Sequence, residues 1–394
     1  MSEVLLLSQV SELNPKVSRI FECDELVSFV SMSAVTVDGE TSEGEDRLYS
    51  EVSRGYTAFK SGDLLVAKIT PCFENGKIAQ ATLSRSYGFG STEFHVIRPN
   101  SERLDSRYLF HFLRQKSIRL DGALKMTGSA GHRRVPASFF SGLKILVPPI
   151  VEQRRISSIL DKVRSLISKR YLCLRLLDLL CLSFMEEVFS EAEEKDSWMD
   201  VVVGDVSEVQ GGLQVTSARK SNSKEAPYLR VANVYRGFLD LGEVKKIRVT
   251  DAELTRTLLE TGDVLIVEGH GNPEEVGRCA LWDGTVDGCT HQNHLIRARF
   301  DVQKVLPRFA CDYLNSSRGR RHLFRAGKTT SGLNTISVSD VRSAPLLIPP
   351  LAIQQQYLNR TEIIDAIRLQ NREHLAELEV LFTSLQHRAF RGEL

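Results

Sequence analysis

The feature that most constrains this chain is that it says the same thing twice. Gly62-Asp63-Leu64-Leu65-Val66 returns as Gly262-Asp263-Val264-Leu265-Ile266, Gly76-Lys77-Ile78-Ala79 as Gly277-Arg278-Cys279-Ala280, and His95-Val96-Ile97-Arg98 as His294-Leu295-Ile296-Arg297, at offsets of 200, 201 and 199. From Arg107 the offset holds at 201 without a gap for about fifty residues, a length that marks a duplication rather than chance. It pairs Arg107 with Arg308, Leu113 with Leu314, Gly131 with Gly332, Ser138 with Ser339, Pro148-Pro149 with Pro349-Pro350, and Gln153 with Gln354. At 394 residues the chain exceeds what one hydrophobic core holds, so two related globules are expected.

Each copy has the same grammar. Short runs of Val, Ile, Leu and Phe bounded by Gly, Asp, Asn and Pro read as strands. A short helix follows, Tyr108 to Ile118 or Phe309 to Arg318, then a Gly/Ser/Thr loop, then an apolar strand ending in Pro-Pro. Beyond each Pro-Pro the period changes. Val151 to Phe189 lacks Gly and Pro, and Ile156, Ile159, Val163, Leu166, Cys173, Leu177, Leu180 and Phe184 recur at helical steps of three and four. Leu351 to Arg391 is equally free of breakers and carries Ile363, Ile367, Leu378, Leu381 and Leu385, interrupted by Gln370, Asn371 and His374. Both stretches predict long helices with a coiled-coil seam, opened by proline where a helix tolerates it. The expected fold class is α+β: two similar mixed α/β domains, 1–147 and 199–347, separated by two long antiparallel coiled-coil helices, 148–190 and 348–394, in a pseudo-twofold repeat.

Composition narrows the function classes. The net charge of +1 neither demands nor forbids a nucleic-acid partner, but the charge is unevenly spread. Arg318, Arg320, Arg321, His322, Arg325 and Lys328 fall in one stretch without an acid, and Arg114, Lys116, Arg119, Lys125, Arg133 and Arg134 in another with only Asp121. Seven scattered cysteines form no Cys-x-x-Cys pair and suit a reducing cytoplasm. The N-terminus MSEVLLLSQVSELNP has no basic n-region and far fewer apolar residues than the ~20 of a membrane span. A cytoplasmic protein without a membrane partner is expected.

Catalytic signatures are missing: no phosphate-binding Gly-x-x-x-x-Gly-Lys-Ser/Thr, no dinucleotide Gly-x-Gly-x-x-Gly opening a helix, no His-Glu-x-x-His. Neither Pro-Pro site has the flanking Asn or Asp and aromatic of the adenine-binding motif of amino methyltransferases. Cys289, His291 and His294 could ligate zinc in a hydrolase, but a fourth ligand at metal spacing is lacking, and no metal or cofactor is expected on this chain. The positive signal is the loop before the last strand of each copy. Lys125, Thr127, Ser129, His132, Arg133 and Arg134 in one, and Lys328, Thr329, Thr330, Ser331 and Asn334 in the other, offer hydroxyls and cations to phosphates and Arg or Asn to base edges. Lys68, Thr70 and Lys77, and Arg219, Lys220, Arg230 and Asn233, sit near strand ends as weaker candidates. A scaffold whose coiled coil and globules bind proteins is the alternative of a different class.

The junction Leu146-Val147-Pro148-Pro149-Ile150-Val151-Glu152-Gln153-Arg154-Arg155-Ile156 resembles the one that ends each target-recognition domain in the specificity subunits of type I restriction-modification systems. Ser384-Leu385-Gln386-His387-Arg388-Ala389-Phe390-Arg391-Gly392-Glu393-Leu394 is similar to that family's C-terminus, Gly62-Asp63-Leu64-Leu65 and Gly262-Asp263-Val264-Leu265 to its strand before the central loop, and Asn233-Val234 with Gly237 and Leu241 to an early segment. The resemblance implies a non-catalytic subunit that reads an asymmetric, bipartite site in double-stranded DNA. It also implies two modification subunits, which carry S-adenosylmethionine and methylate adenine, and in restriction-competent complexes two ATP- and magnesium-dependent motor-nuclease subunits; a methylation-only system is the variant of the same reading. Glu152, Gln153, Arg154, Arg155 and Gln354 become candidate partner contacts. The second junction, Ile353-Gln354-Gln355-Gln356-Tyr357, departs from the pattern by lacking the Glu and both Arg.

Overall fold

The computed structural model describes residues 2–129, 131–190, 198–330 and 333–394. The chain divides into two compact units, Met1–Tyr171 with Arg372–Leu394, and Leu172–Asn371. Each long helix, Ile150–Ser190 and Leu351–Ala389, therefore contributes one part to each unit.

The first unit is built on a four-stranded antiparallel sheet in the spatial order Ser11–Leu13, Phe94–Pro99, Leu64–Ala67, Ile78–Gln80. The second unit repeats that order with Ser207–Gly211, Leu295–Phe300, Val264–Val267 and Cys279–Leu281. The Gly-Asp motif explains why the central strand begins where it does. Gly62 (φ 89°) and Gly262 (φ 98°) take the left-handed turn open to glycine. The buried carboxylates of Asp63 and Asp263 then accept from the backbone of Lys60 and Glu260 and grip Arg98 and Arg299 across the sheet, at 2.7–2.8 Å.

This corrects the alignment of the last strand. Leu64 faces Ile97 and Val264 faces Ala298, so the partner of Arg98 is Arg299, and the offset there is 201 instead of 199. Arg297, aligned with Arg98 by sequence, is instead buried, donating to Glu208 and Gln210. A second sheet in each unit carries one parallel pair, Leu26–Val30 with Tyr87–Gly90 and Lys224–Leu229 with Thr290–His291. The strand before each Pro-Pro, Lys144–Val147 or Pro345–Ile348, pairs antiparallel with the strand that opens its unit, Glu3–Leu6 or Met199–Val202.

At each Pro-Pro the chain enters its long helix through a glutamine clamp. The Gln153 amide accepts from the Asp105 N–H and donates to the carbonyls of Arg103 and Pro148; Gln354 does the same with Leu306, Lys304 and Pro349. Both side chains are fully buried. Neither is free to meet a partner subunit, which corrects that expectation for Gln153 and Gln354: each satisfies the backbone groups that a helix start and its preceding turn leave open.

Within each unit the helix parts run antiparallel. In the first, the Tyr171 hydroxyl donates to Glu379 at 2.7 Å, and Ile156 and Leu160 share a core with Phe382, Leu385 and Ala389. In the second, Arg360 pairs with Glu187 and Arg368 with Asp178, while Met185, Phe189 and Tyr357 join the core. The buried stripe differs from the expected seam. On the second helix it runs Gln354, Tyr357, Thr361, Ile364, Arg368, Asn371, Leu375, Leu378, Phe382, Leu385, Ala389, in unbroken steps of three and four. Ile363, Ile367 and Leu381 are 66%, 41% and 45% exposed. On the first helix Leu166 and Leu180 are likewise exposed, and Leu160 is fully buried. The seam's polar members find partners there: Thr361 donates to the Leu358 carbonyl, Asn371 to Ile367, and the Arg368 Nη groups pair with Asp178 and Asp365, although its buried Nε has no partner among the described residues. A hydrogen-bonded polar group tolerates burial.

Candidate nucleic-acid interface

In the first unit the loop ahead of the last strand is a hairpin. Thr127 and Arg134 exchange backbone hydrogen bonds at 3.0 and 2.8 Å, and the His132 N–H donates to the Ser129 carbonyl at 3.0 Å. Gly128 sits at φ 118°, where an added Cβ would lie 2.8 Å from the His132 carbonyl oxygen, so only glycine fits the turn. The segment after the central strand lies alongside: the Thr70 N–H donates to the Arg133 carbonyl and the Val135 N–H to that of Lys68, both at 2.9 Å. The fold thus gathers Lys68 and Thr70 with Thr127, Ser129, His132, Arg133 and Arg134, the five hairpin side chains all exposed. Lys125 caps the preceding helix on the same exposed edge.

Charge on this edge is only partly answered. Arg134 chelates Glu93, with its Nη2 2.7 Å and its Nε 2.9 Å from the carboxylate. The Arg134 hydrogen bond holds the Glu93 carboxyl below its usual range, and the positive fields of Lys68 and His132 add to this. Among the described residues no carboxylate lies within ion-pair distance of Lys68, Lys125 or Arg133; the Arg133 guanidinium donates to the Ala123 carbonyl at 3.1 Å. Behind the hairpin His95 is buried, its Nε2 2.9 Å from the Val135 carbonyl oxygen, and burial lowers its pKa. Sequence reasoning missed Glu93 and His95. In the second unit Glu268 and His294 stand where Lys68 and Glu93 stand in the first, each pair joined by the same backbone hydrogen bond, and the two side chains lie 2.8 Å apart.

The second unit has the corresponding element as a three-stranded ribbon, Gly269–His270, Leu333–Thr335, Lys328–Thr330. His270, also missed, lies opposite Asn334, at the position that Thr70 holds in the first copy. The side chains of Lys328, Thr329, Thr330 and Lys220, and the whole of Ser331, lie outside the described residues.

The remaining weaker candidates do not join the hairpin. Lys77 donates to the Met32 carbonyl at 3.1 Å. Arg219 is paired with Glu253 and Arg230 with Glu243. Asn233 is buried, with its oxygen taken by the Arg230 N–H and its amide donating to the Asp240 and Glu243 carbonyls. Asn233 is thus a turn former, a correction to its reading as a base contact, since its hydrogen-bonding capacity is spent within the turn. Cys289, His291 and His294 do not converge. The Cys289 thiol points to the Thr290 carbonyl and is pushed up to about 12 by burial, His291 is pushed down to about 4 by burial and by Arg297, and His294 faces Glu268. No group of three or more potential ligands placed to hold a metal occurs among the described residues, nor is any described helix long and apolar enough to cross a membrane.

Comparison with known proteins places this architecture in a class. Residues 49–171 match the family described as the type I restriction modification DNA specificity domain. Over those residues the chain carries a domain similar to that family's. It is 40% identical over 152 residues to the type I restriction enzyme EcoAI specificity subunit of Escherichia coli, covering 38% of this chain and 26% of that one. With the EcoKI specificity subunit of E. coli K12 it is 27% identical over 342 residues, 81% of this chain and 72% of that one. The chain thus spans about a quarter of the EcoAI relative. In fold it resembles a chain of a structure described as underlying complex assembly and conformational transition of the type I R-M system, with a TM-score of 0.59, 20% identity, and coverage of 100% and 98%. It likewise resembles the type I S subunit from M. genitalium, with a TM-score of 0.55, 13% identity, and coverage of 99% and 96%.

Proposed function

We propose that this chain is the DNA-reading subunit of a type I restriction-modification complex, without catalytic activity of its own, and that each unit reads one half of an asymmetric, split site. The observation that carries this reading is the hairpin of the specificity domain. Exposed Lys125 and Arg133 and half-buried Lys68 lie on the hairpin and the segment beside it without a carboxylate at ion-pair distance among the described residues, beside exposed Thr127, Ser129 and His132. Unpaired cations neutralise phosphates and fix register, while a few hydroxyl, Arg and Asn side chains discriminate bases at about 1–3 kcal/mol each. In the second unit Lys328, Thr329, Thr330, Ser331 and Asn334 take the same part, with His270 opposite Asn334. Because the two loops differ in sequence, the two half-sites differ.

Partners follow from the same reading. Two modification subunits, holding S-adenosylmethionine and methylating adenine, dock on the junctions and long helices, where Arg154 and Arg155 are exposed and Glu152, paired with Arg155, is half-buried; motor-nuclease subunits using ATP and magnesium join where restriction accompanies methylation. The weaker second junction predicts unequal affinity for the two modification subunits. A salt-titrated DNA-binding measurement on the assembled complex tests the DNA claim. Arg133→Glu with Arg134→Glu should weaken binding and make the log–log salt slope shallower by about two, near 0.9 per phosphate contact. An unchanged affinity and slope contradicts it.

A further inference from the structure

We propose that the first unit carries a second oxyanion site, a phosphate-binding cleft between the long helix and the helix Ser106–Leu113, with no counterpart in the second unit. Two hollows of about 460 and 480 Å³ share Arg107, Asp161 and Ser165 in their walls. Lys162 closes one of them, and Arg164 and Ser168 the other. Three guanidinium groups surround the Phe110 ring: Arg107 at 4.2 Å, Arg164 at 5.1 Å and Arg114 at 5.4 Å from its centroid. Asp161 is already engaged by Arg107 at 2.6 Å and by His111 at 2.9 Å. Among the described residues no carboxylate lies within ion-pair distance of Lys162 or Arg164, although Asp161 and then Asp38 and Glu40 contribute negative field to Arg164, and Asp105 and Glu40 also line the hollows. Burial and the neighbouring Arg107 lower the pKa of Arg164, and burial with Arg164 and Arg119 brings Arg114 down to about 9. An incoming anion would relieve that repulsion.

The duplication supplies an internal control. At the 201 offset Lys162, Arg164, Ser165 and Ser168 become Ile363, Asp365, Ala366 and Leu369, and His111 becomes Asp312. Arg308, the counterpart of Arg107, is neutralised by Asp312 at 2.8 Å and Asp365 at 2.7 Å. The two seams are equivalent position for position, yet this flank is cationic and hydroxyl-rich in one copy and acidic and apolar in the other. A partner meeting both helices alike has no use for such a difference; a ligand bound by one copy does. Guanidinium, ammonium and hydroxyl donors arriving from two helices and the loop of Glu40 suit a tetrahedral phosphate, which accepts from several directions.

The assignment does not depend on the DNA reading, because the free ion tests it. The full-length protein is titrated calorimetrically with pyrophosphate, comparing wild type with Arg164→Asp/Ser165→Ala, which installs the second unit's residues, and with the milder Arg164→Gln; circular dichroism establishes that each variant is folded. Wild type should bind pyrophosphate in the millimolar range or better, and both variants at least tenfold more weakly. The same proteins are then titrated with duplex DNA against salt. A slope shallower by about one in the variants identifies the ligand as a backbone phosphate, whereas an unchanged slope with lost pyrophosphate binding identifies a free phosphate compound. Equal pyrophosphate binding by wild type and variants, or none by wild type together with an unchanged slope, overturns the proposal.

Discussion

Replacing Gln354 with alanine removes one side chain and leaves the Leu306 N–H and the carbonyls of Lys304 and Pro349 without their partner. The site is fully buried, so water does not readily restore those bonds. At about 1 kcal/mol net per hydrogen bond the loss is about 3 kcal/mol. For a unit of this size, at ~2–4 °C per kcal/mol, the unfolding midpoint falls by roughly 6–12 °C. The assay is unusually selective. Both tryptophans of the chain, Trp198 and Trp282, lie in the second unit, so fluorescence follows that unit during thermal or urea unfolding. Gln153→Ala breaks the equivalent clamp in the first unit, and should appear mainly in circular dichroism with a smaller change in the fluorescence transition. A fluorescence midpoint lowered by less than 2 °C in Gln354→Ala would refute the clamp reasoning. So would equal fluorescence shifts in the two variants.

Three further outcomes are expected. Leu375→Ala, on the buried seam, should destabilise the protein by about 2–3 kcal/mol, whereas Leu381→Ala, 45% exposed, should cost less than about 1 kcal/mol; the reverse order in urea unfolding would put the seam back on the other stripe. His291 has its pKa pushed from 6.5 down to about 4 by burial, so the unfolded chain takes up the proton first as pH falls. Its contribution is fully present above pH ~6.5 and declines toward pH 4, by about 2 kcal/mol between pH 7 and 5. His291→Gln should flatten the pH dependence of the fluorescence-monitored transition over that range, and parallel curves for the two proteins would exclude this role. Glu93→Gln removes the acid that Arg134 chelates; DNA binding should tighten and its salt slope steepen, and weakened binding would mean that Glu93 positions the hairpin more than it neutralises it.

The duplication, the strand–turn grammar and the Pro-Pro-to-helix switch were legible in the sequence because each rests on local rules: glycine at positive φ, apolar alternation, and proline at a helix start. What was not legible was which stripe of the second helix is buried over most of its length; on the first helix Ile156, Val163, Cys173, Leu177 and Phe184 of the expected seam do face inward. The second helix carries two candidate stripes. The more apolar one, with Ile363, Ile367 and Leu381, is exposed, while Gln354, Thr361 and Asn371 are turned inward with their hydrogen bonds made, and Arg368 with its Nη groups on Asp178 and Asp365. Hydropathy alone ranks these the wrong way round. Carrying the 201 offset from Gln153 into the helix would have found the correct phase, since buried Gln153, Ile156, Leu160 and Val163 map onto Gln354, Tyr357, Thr361 and Ile364. At the candidate interface, composition identified the hairpin, but only strand pairing reveals that Lys68 and Thr70 join it and that Lys77, Arg230 and Asn233 do not.

The most direct measurement for the two-headed account is a hydroxyl-radical footprint of the complex assembled with its modification subunits on duplex DNA selected for binding. Two separate protected segments of different sequence are expected. Arg133→Glu with Arg134→Glu should erase one of them, and Lys328→Glu should weaken the other. A single continuous footprint, or loss of both segments together from either change, would contradict independent reading by two domains.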